Sequence, residues 1–292
     1  MEEVSFPQQT PLYYALHAER YARRDLIAQV EKITGRKLIV YFANVSHPQS
    51  FISKDDIEPF QEMVYDCVQS GMENFDLLLQ SGGGDIDAAE KIVTLLRQQL
   101  QSLRVIVAER AKSAATLIAL ASDEIVMSDT SELGPIDPQI AIPTPTGLTM
   151  YPAQSFLDGL RRIKDETQQA GLLNPVYYPI LSNLNPALID FCVKAIERSQ
   201  KFAQRWLERY MCQQAPKKAR QIASQLCDAQ RYASHGAVID WNEAQNLGLR
   251  VHYVPPTDQL WEAVWRLHTY YEVFVRRHQI PKIYETSRVS IS

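Results

Sequence analysis

Two short segments of this 292-residue chain carry the residue types from which an acyl-transfer site can be assembled. In QSGGGD, three of only 11 glycines stand in a row, Gly82 to Gly84. Adjacent glycines let backbone N–H groups converge on a cleft and receive a developing oxyanion. In ERAKSAATLIALASDEIVM, a polar turn reaches Ser113 just before a run of small and apolar residues. That puts the hydroxyl at a helix start, where the dipole favours a nucleophile and the amide of Ala114 can complete the oxyanion hole. Each segment also has a simpler explanation, a tight turn relieved by glycine in one case and a serine N-cap in the other. A phosphate-cradling loop fits neither, because GxGxxG and GxxxxGK[ST] are both absent. The conjunction argues for chemistry: glycine turn, helix, strand and serine turn follow one another within 33 positions.

Other chemistries are poorly provided for. His268 and His278 are ten apart, and no HExxH or paired carboxylate–histidine spacing occurs, so no metal is expected. The four cysteines, Cys67, Cys192, Cys212 and Cys227, form no CxxC pair and are expected to fill core gaps. No dinucleotide fingerprint is present, and no cofactor is expected. With 30 Lys plus Arg against 34 Asp plus Glu, the net charge of −4 offers no broad basic surface to nucleic acid or anionic membrane. A composition of 46% hydrophobic and 22% charged residues is that of a folded globular protein. The longest apolar run, ATLIALA, is far short of the ~20 residues that span a bilayer. The opening MEEVSFPQQT is acidic where a signal peptide is basic, so a cytoplasmic protein is expected.

The elements that must position these residues follow from the hydrophobic pattern. A helical stretch from about Leu12 to Lys32 closes at Gly35. KLIVYF, FDLLLQ, RVIVA and EIVM read as buried strands, separated by helices opening at Asp55 and Asp85 and after Ser113. Strand and helix alternate, which predicts βα units on a mainly parallel sheet. Beyond Pro135 the chain turns helical, with amphipathic stretches near Pro152–Ala170 and Pro186–Met211. A last strand, LRVHYV, precedes a helix from about Thr257 to His278 carrying Trp261, Trp265, Tyr271 and Phe274. The polar tail from Tyr284 to Ser292 is expected to fray. The reading is one α/β domain over 1–292, with a core at about 36–254, an N-terminal helical segment at 1–35 and a C-terminal helical arm at 255–292.

LLLQSGGGDIDAAEKI resembles the SPGG-plus-helix segment of ClpP-type proteases, and AKSAATLIALASDEIVM resembles their serine-bearing segment. RYASHGAVIDWNEAQNLGLRV is similar to a later segment shared by ClpP and signal peptide peptidase A. Together with TPLYYALHAERYARR and GPIDPQ, these place the chain closest to the serine dehydrogenase-type proteinase family of the ClpP/crotonase superfamily. The resemblance implies a ClpP/crotonase-like fold of repeated ββα and βα units with extra C-terminal helices. It implies Ser113 as nucleophile, with Gly83, Gly84 and Ala114 around the oxyanion hole. Where ClpP-type enzymes have their histidine, this chain has Asp137 and Pro138, so the general base is left open. The signal-peptide-peptidase-A branch uses a downstream lysine, and Lys164 lies 51 positions after Ser113. A lysine serves as a base only where burial or a cation makes its proton easy to lose, and RRIKDE also reads as a solvated helix face. His235 stands beside the position matching the ClpP aspartate and is the rival, with a turn-serving loop histidine as its plain alternative. Lys112 adjoins the nucleophile and ranks third, since neighbouring side chains on a turn point apart.

The expected function is hydrolysis of peptide bonds in a peptide or protein substrate, with Ser113 attacking and a lysine or histidine taking its proton. A crotonase-like acyl-CoA enzyme is the alternative on the same fold, disfavoured by the acidic Asp85 and Asp87 beside the glycine turn. A non-catalytic scaffold is the third. The superfamily's habit of assembly, together with the aromatic stripe of the last helix, predicts a homo-oligomer with Thr257–His278 at the contact.

Overall fold

The apolar strands expected from sequence form the centre of the protein in the computed structural model, which describes residues 10–144, 147–182, 184–232 and 234–292. The first nine residues of the expected N-terminal helical segment lie outside the described residues. The chain opens with α1 (Pro11–Leu16) and α2 (Ala18–Thr34), the latter closed by Gly35 at φ 64°. Next come β1 (Lys37–Ala43), α3 (Ile57–Gln69), β2 (Asn74–Gln80), α4 (Ile86–Gln99) and β3 (Ser102–Ile106). The short β4 (Arg110–Ala111) leads into α5 (Ala114–Leu120), then β5 (Glu124–Met127) and the short β6 (Glu132–Leu133). A hairpin of β7 (Gln139–Thr144) and β8 (Gly147–Pro152) precedes α6 (Ala153–Ala170), α7 (Tyr178–Ser182) and α8 (Pro186–Arg209). The remainder is α9 (Pro216–Leu226), α10 (Ala229–Tyr232), α11 (Trp241–Leu247), β9 (Val251–Tyr253), α12 (Gln259–His278), β10 (Lys282–Glu285) and β11 (Ser290–Ile291).

Seven strands form one sheet in the order β11-β10-β1-β2-β3-β5-β9, and the run from β1 to β9 is parallel throughout. Parallel strands joined by helices are covered on both faces, which is why KLIVYF and FDLLLQ are nearly continuously apolar. Successive side chains point to opposite faces. Ile39, Tyr41, Leu77 and Leu79 therefore enter the core built with α3, α4 and α5, while Leu38, Val40, Phe42 and Leu78 enter the one built with α2 and α12.

The C-terminal end departs from the sequence reading in two ways. Residues 282–285 do not fray: β10 is fully buried and pairs antiparallel with β1, so the region after 255 is no helical arm but returns to the sheet. The tail reads as solvated because it is polar, yet its polar groups have buried partners. Glu285 is held bidentately by Arg23 and accepts from Tyr271 at 2.6 Å, and Lys282 pairs with the buried Asp56. The aromatic stripe of α12 likewise faces inward. Trp261 and Tyr271 are buried on the protein's own sheet, leaving Trp265 and Val273 outside. Most of the stripe is thus an intramolecular contact.

Candidate active site

The site lies past the carboxyl ends of β2 and β3. The glycine turn after β2 is held from both sides. On one side Ser81 donates its N–H to the Arg110 carbonyl at 3.1 Å and accepts from the Lys112 N–H at 3.0 Å. On the other, Ile52 donates to the Gly83 carbonyl and accepts from the Asp85 N–H, both at 2.9 Å. This packing explains two of the glycines. A Cβ on Gly84 would stand 2.3 Å from the Ile52 carbonyl oxygen, and one on Gly83 would stand 2.8 Å from the Ser113 Cβ. Both also have positive φ, at 150° and 103°. The N–H of Gly83 is taken by the Ser81 hydroxyl at 3.1 Å. Gly84 and Ala114 keep N–H groups with no acceptor among the described residues.

Ser113 sits between β4 and α5 with φ 51° and ψ −117°. Gln279, another non-glycine residue with positive φ, ends a helix at φ 54° and ψ 36°, the ordinary left-handed basin. Ser113 lies outside that basin, in a region where an L-residue is strained. Its hydroxyl makes no capping bond to α5, so the N-cap explanation does not hold. The turn is a strained strand-to-helix elbow that leaves a partly exposed serine hydroxyl unengaged.

Two more segments meet this elbow. The Thr116 hydroxyl donates to the carbonyls of Ala111 and Gly134, seating residues 133–137 against the start of α5. Leu133 and Ile239 exchange backbone bonds of 2.9 and 3.1 Å, bringing in the loop that carries His235. His235 Nδ1 lies 2.8 Å from an oxygen of Asp137, a carboxylate only 2% exposed. Its other oxygen accepts from Gln139 at 2.7 Å. An ionised carboxylate only accepts, so Nδ1 is the donor in this contact, and in a neutral imidazole Nε2 is the nitrogen left with a lone pair. Asp137 is fixed in turn by its chain neighbour Ile136, whose carbonyl accepts from Ser199 at 2.6 Å and whose N–H donates to Leu226 at 2.9 Å.

The two lysines lie differently. Lys164 is exposed on α6 and makes no hydrogen bond or ion pair among the described residues. The Lys112 side chain is mostly buried and points away from Ser113, into carbonyls of Leu133 and Ala237. Burial draws it below the usual lysine range, with Glu132 opposing. The cysteines are all buried, and burial pushes Cys67 and Cys227 up to about 12, which leaves no reactive thiolate there.

Residues 49–284 match the family of ClpP-like SDH-type serine proteinases. The chain belongs to that family. The assignment accords with the mainly parallel sheet and agrees with the resemblance carried by the glycine and serine segments. Two uncharacterised proteins of Methanocaldococcus jannaschii are similar, one 29% identical over 178 residues and the other 30% identical over 204. These alignments cover 61% and 69% of this chain, which spans 51% and 60% of the relatives' own lengths. Among solved structures, ClpP1 from Listeria monocytogenes aligns with 82% of this chain and 99% of its own at 12% identity and TM-score 0.44. A membrane-bound stomatin-specific protease, 1510-N, aligns with 41% of this chain and 60% of its own at 23% identity and TM-score 0.32.

Asp137 is the partner of His235 that the sequence did not single out. Sequence reading noticed it only as the residue occupying the histidine's place, while His235 stands beside the aspartate's place. The two residues lie 98 positions apart, and the pair becomes visible only once they are seen in contact. Among the described residues no helix is long and apolar enough to cross a membrane.

Proposed function

We propose that this protein is a serine peptidase whose nucleophile is Ser113, whose base is His235 and whose orienting acid is Asp137. The observation that carries the reading is the 2.8 Å contact between His235 Nδ1 and the buried Asp137, taken with the strained backbone of Ser113. Ser113 Oγ attacks the substrate carbonyl as His235 Nε2 takes its proton. The N–H groups of Gly84 and Ala114 receive the oxyanion, and Gly83 lets the glycine turn approach the serine. Collapse expels the amine, which leaves with the proton from His235. Water then repeats the attack and frees the acid. Asp137 keeps the imidazole in the tautomer this needs and stabilises the imidazolium. Lys164, the alternative base, is exposed on α6 and has no burial to recommend it.

A fluorophosphonate probe tests the assignment, because it labels only an activated serine. Wild-type protein is expected to react, Ser113→Ala not at all, His235→Ala only at a slow residual rate, and Lys164→Ala normally. Loss of labelling in Lys164→Ala with retention in His235→Ala would hand the base to the lysine. A wild-type protein that never labels would favour a scaffold or an acyl-CoA enzyme.

We also propose that the protein acts as a homo-oligomer on a peptide or protein substrate. Support for association comes from the segment between β7 and the first half of α8, where Leu148, Leu172, Tyr178, Ile180 and Phe191 are each more than half exposed. Several large apolar side chains left exposed along one segment are what a contact site presents.

A further inference from the structure

Lys112 is the residue beside the nucleophile to which the reaction above gives no task. Its side chain is 13% exposed, and its ammonium reaches three oxygens: the Ala237 carbonyl at 2.9 Å, the Leu133 carbonyl at 3.1 Å and a Glu132 carboxylate oxygen at 3.1 Å. An ammonium has three protons and no acceptor, so all of its donors are engaged. The acceptors are not scattered. Leu133 and Glu132 form β6, from which the chain runs directly to Asp137. Ala237 belongs to the loop that carries His235, and Lys112 itself precedes Ser113. A passage is also left for the stem: a Cβ on Gly134 would stand 2.6 Å from the Lys112 Cδ.

We infer that Lys112 is a positioning residue whose ammonium ties the three segments bearing Ser113, Asp137 and His235 into one register. The inference rests on the triad reading above. Without this tie, the His235 loop keeps its backbone pairing through Ile239 and the side-chain bond to Asp137, and it loses the one hydrogen bond that, among the described residues, links it to the nucleophile's own turn. Displacing a base by about 1 Å is enough to cost ~10²-fold in rate.

The test is a cycle of fluorophosphonate labelling rates on the full chain, with Lys112→Met and Lys112→Arg in the wild-type and His235→Ala backgrounds. Lys112→Met is expected to slow labelling about 100-fold in the wild type but under about 3-fold once His235 is gone, because a tie that acts through the base has nothing left to position. Arginine, which donates but never serves as a base, is expected to restore the rate to within about 10-fold of wild type. Wild-type labelling by Lys112→Met overturns the inference, and so does an equal loss in both backgrounds, which marks a merely structural role. Failure of arginine to rescue overturns it too. If Lys112→Met does not fold, Gly134→Ala, which crowds the stem and leaves the charge, takes its place in the same cycle. The parent reading fails separately, by unchanged labelling in His235→Ala.

Discussion

Ser113 combines an exposed hydroxyl with a backbone that resists it. Non-glycine residues in such regions carry strain of about 1–3 kcal/mol, and Ser113 accepts it at φ 51° and ψ −117°. Ser113→Gly is therefore expected to abolish labelling while raising stability by about 1 kcal/mol, the strain relieved less the added freedom of the unfolded chain. Ser113→Ala should leave stability within about 0.5 kcal/mol, because the hydroxyl caps nothing. Denaturant melts of both variants check this, and a marked loss in the glycine variant would mean the hydroxyl has a structural partner. The glycines divide in the same way. Gly84→Ala forces its Cβ against the Ile52 backbone and should cost about 1–3 kcal/mol along with labelling. Gly82→Ala meets nothing within 4 Å and should be tolerated in both respects. Ser113 and the glycine turn were legible in the sequence because backbone demands select residue types locally. The base was not, because His235 and Asp137 stand 98 residues apart and a bond between distant side chains leaves no local pattern. Spacing alone pointed to Lys164.

At the scale of elements, the legible parts were those with a hydrophobic period. The parallel strands and α4, whose Ile92, Val93 and Leu96 are buried, fall where the sequence put them. β10 escaped notice because its polar ends are satisfied only by partners far away. The buried Asp56 accepts from Tyr41 at 3.1 Å and from the Ser53 N–H at 2.9 Å, and also from Lys282 and Tyr284 of β10. Lys282 further donates to the Phe51 carbonyl at 3.1 Å, so this strand anchors the loop whose Ile52 holds the glycine turn. Lys282→Met leaves a buried carboxylate short of its cation and is expected to cost about 3–5 kcal/mol, with slower labelling. Near-wild-type stability would mean that the remaining hydrogen bonds to Asp56 hold the loop without the lysine. The docking of α12 has its own signature, since His268 lies between Phe42 and Trp265. Burial pushes His268 down to about 4, with Glu109 opposing and Arg110 assisting. The fold thus favours neutral imidazole, so the unfolded chain binds the extra proton. Stability from this group is complete above ~6.5 and is lost as the pH falls towards 4, by about 3 kcal/mol in all. His268→Phe should flatten that part of the pH–stability curve. An equally steep decline in the variant would assign acid sensitivity to other groups.

The whole molecule has two cores, one on each face of its sheet, and a smaller cluster outside them. Ile140, Ala153 and Cys192 form that cluster, beneath the hairpin and the helices that follow it. Composition alone read as a single core, and the aromatic load of α12 read as its spare surface. The sheet covers most of those aromatics instead, and a large share of the exposed apolar side chains lies on the segment leading away from Asp137. There the cluster is too small to bury what the chain presents: Leu148 is 72% exposed and Phe191 is 57% exposed. Leaving such groups in water forgoes about 1.5–3 kcal/mol for each large side chain that a partner surface would bury. Light scattering on the purified protein at micromolar concentration is therefore expected to give a mass that is a multiple of 33.3 kDa. Leu148→Asp combined with Phe191→Asp should reduce it to a monomer with unchanged helix content, because neither side chain supports the protomer's own core. A double variant that stays assembled would move the contact elsewhere, and a wild-type monomer would end the proposal of association. If the variant dissociates, its labelling rate shows whether the site works in isolation. Because β7 begins two residues after Asp137, a fall in that rate is the outcome expected if assembly steadies the acid that orients His235.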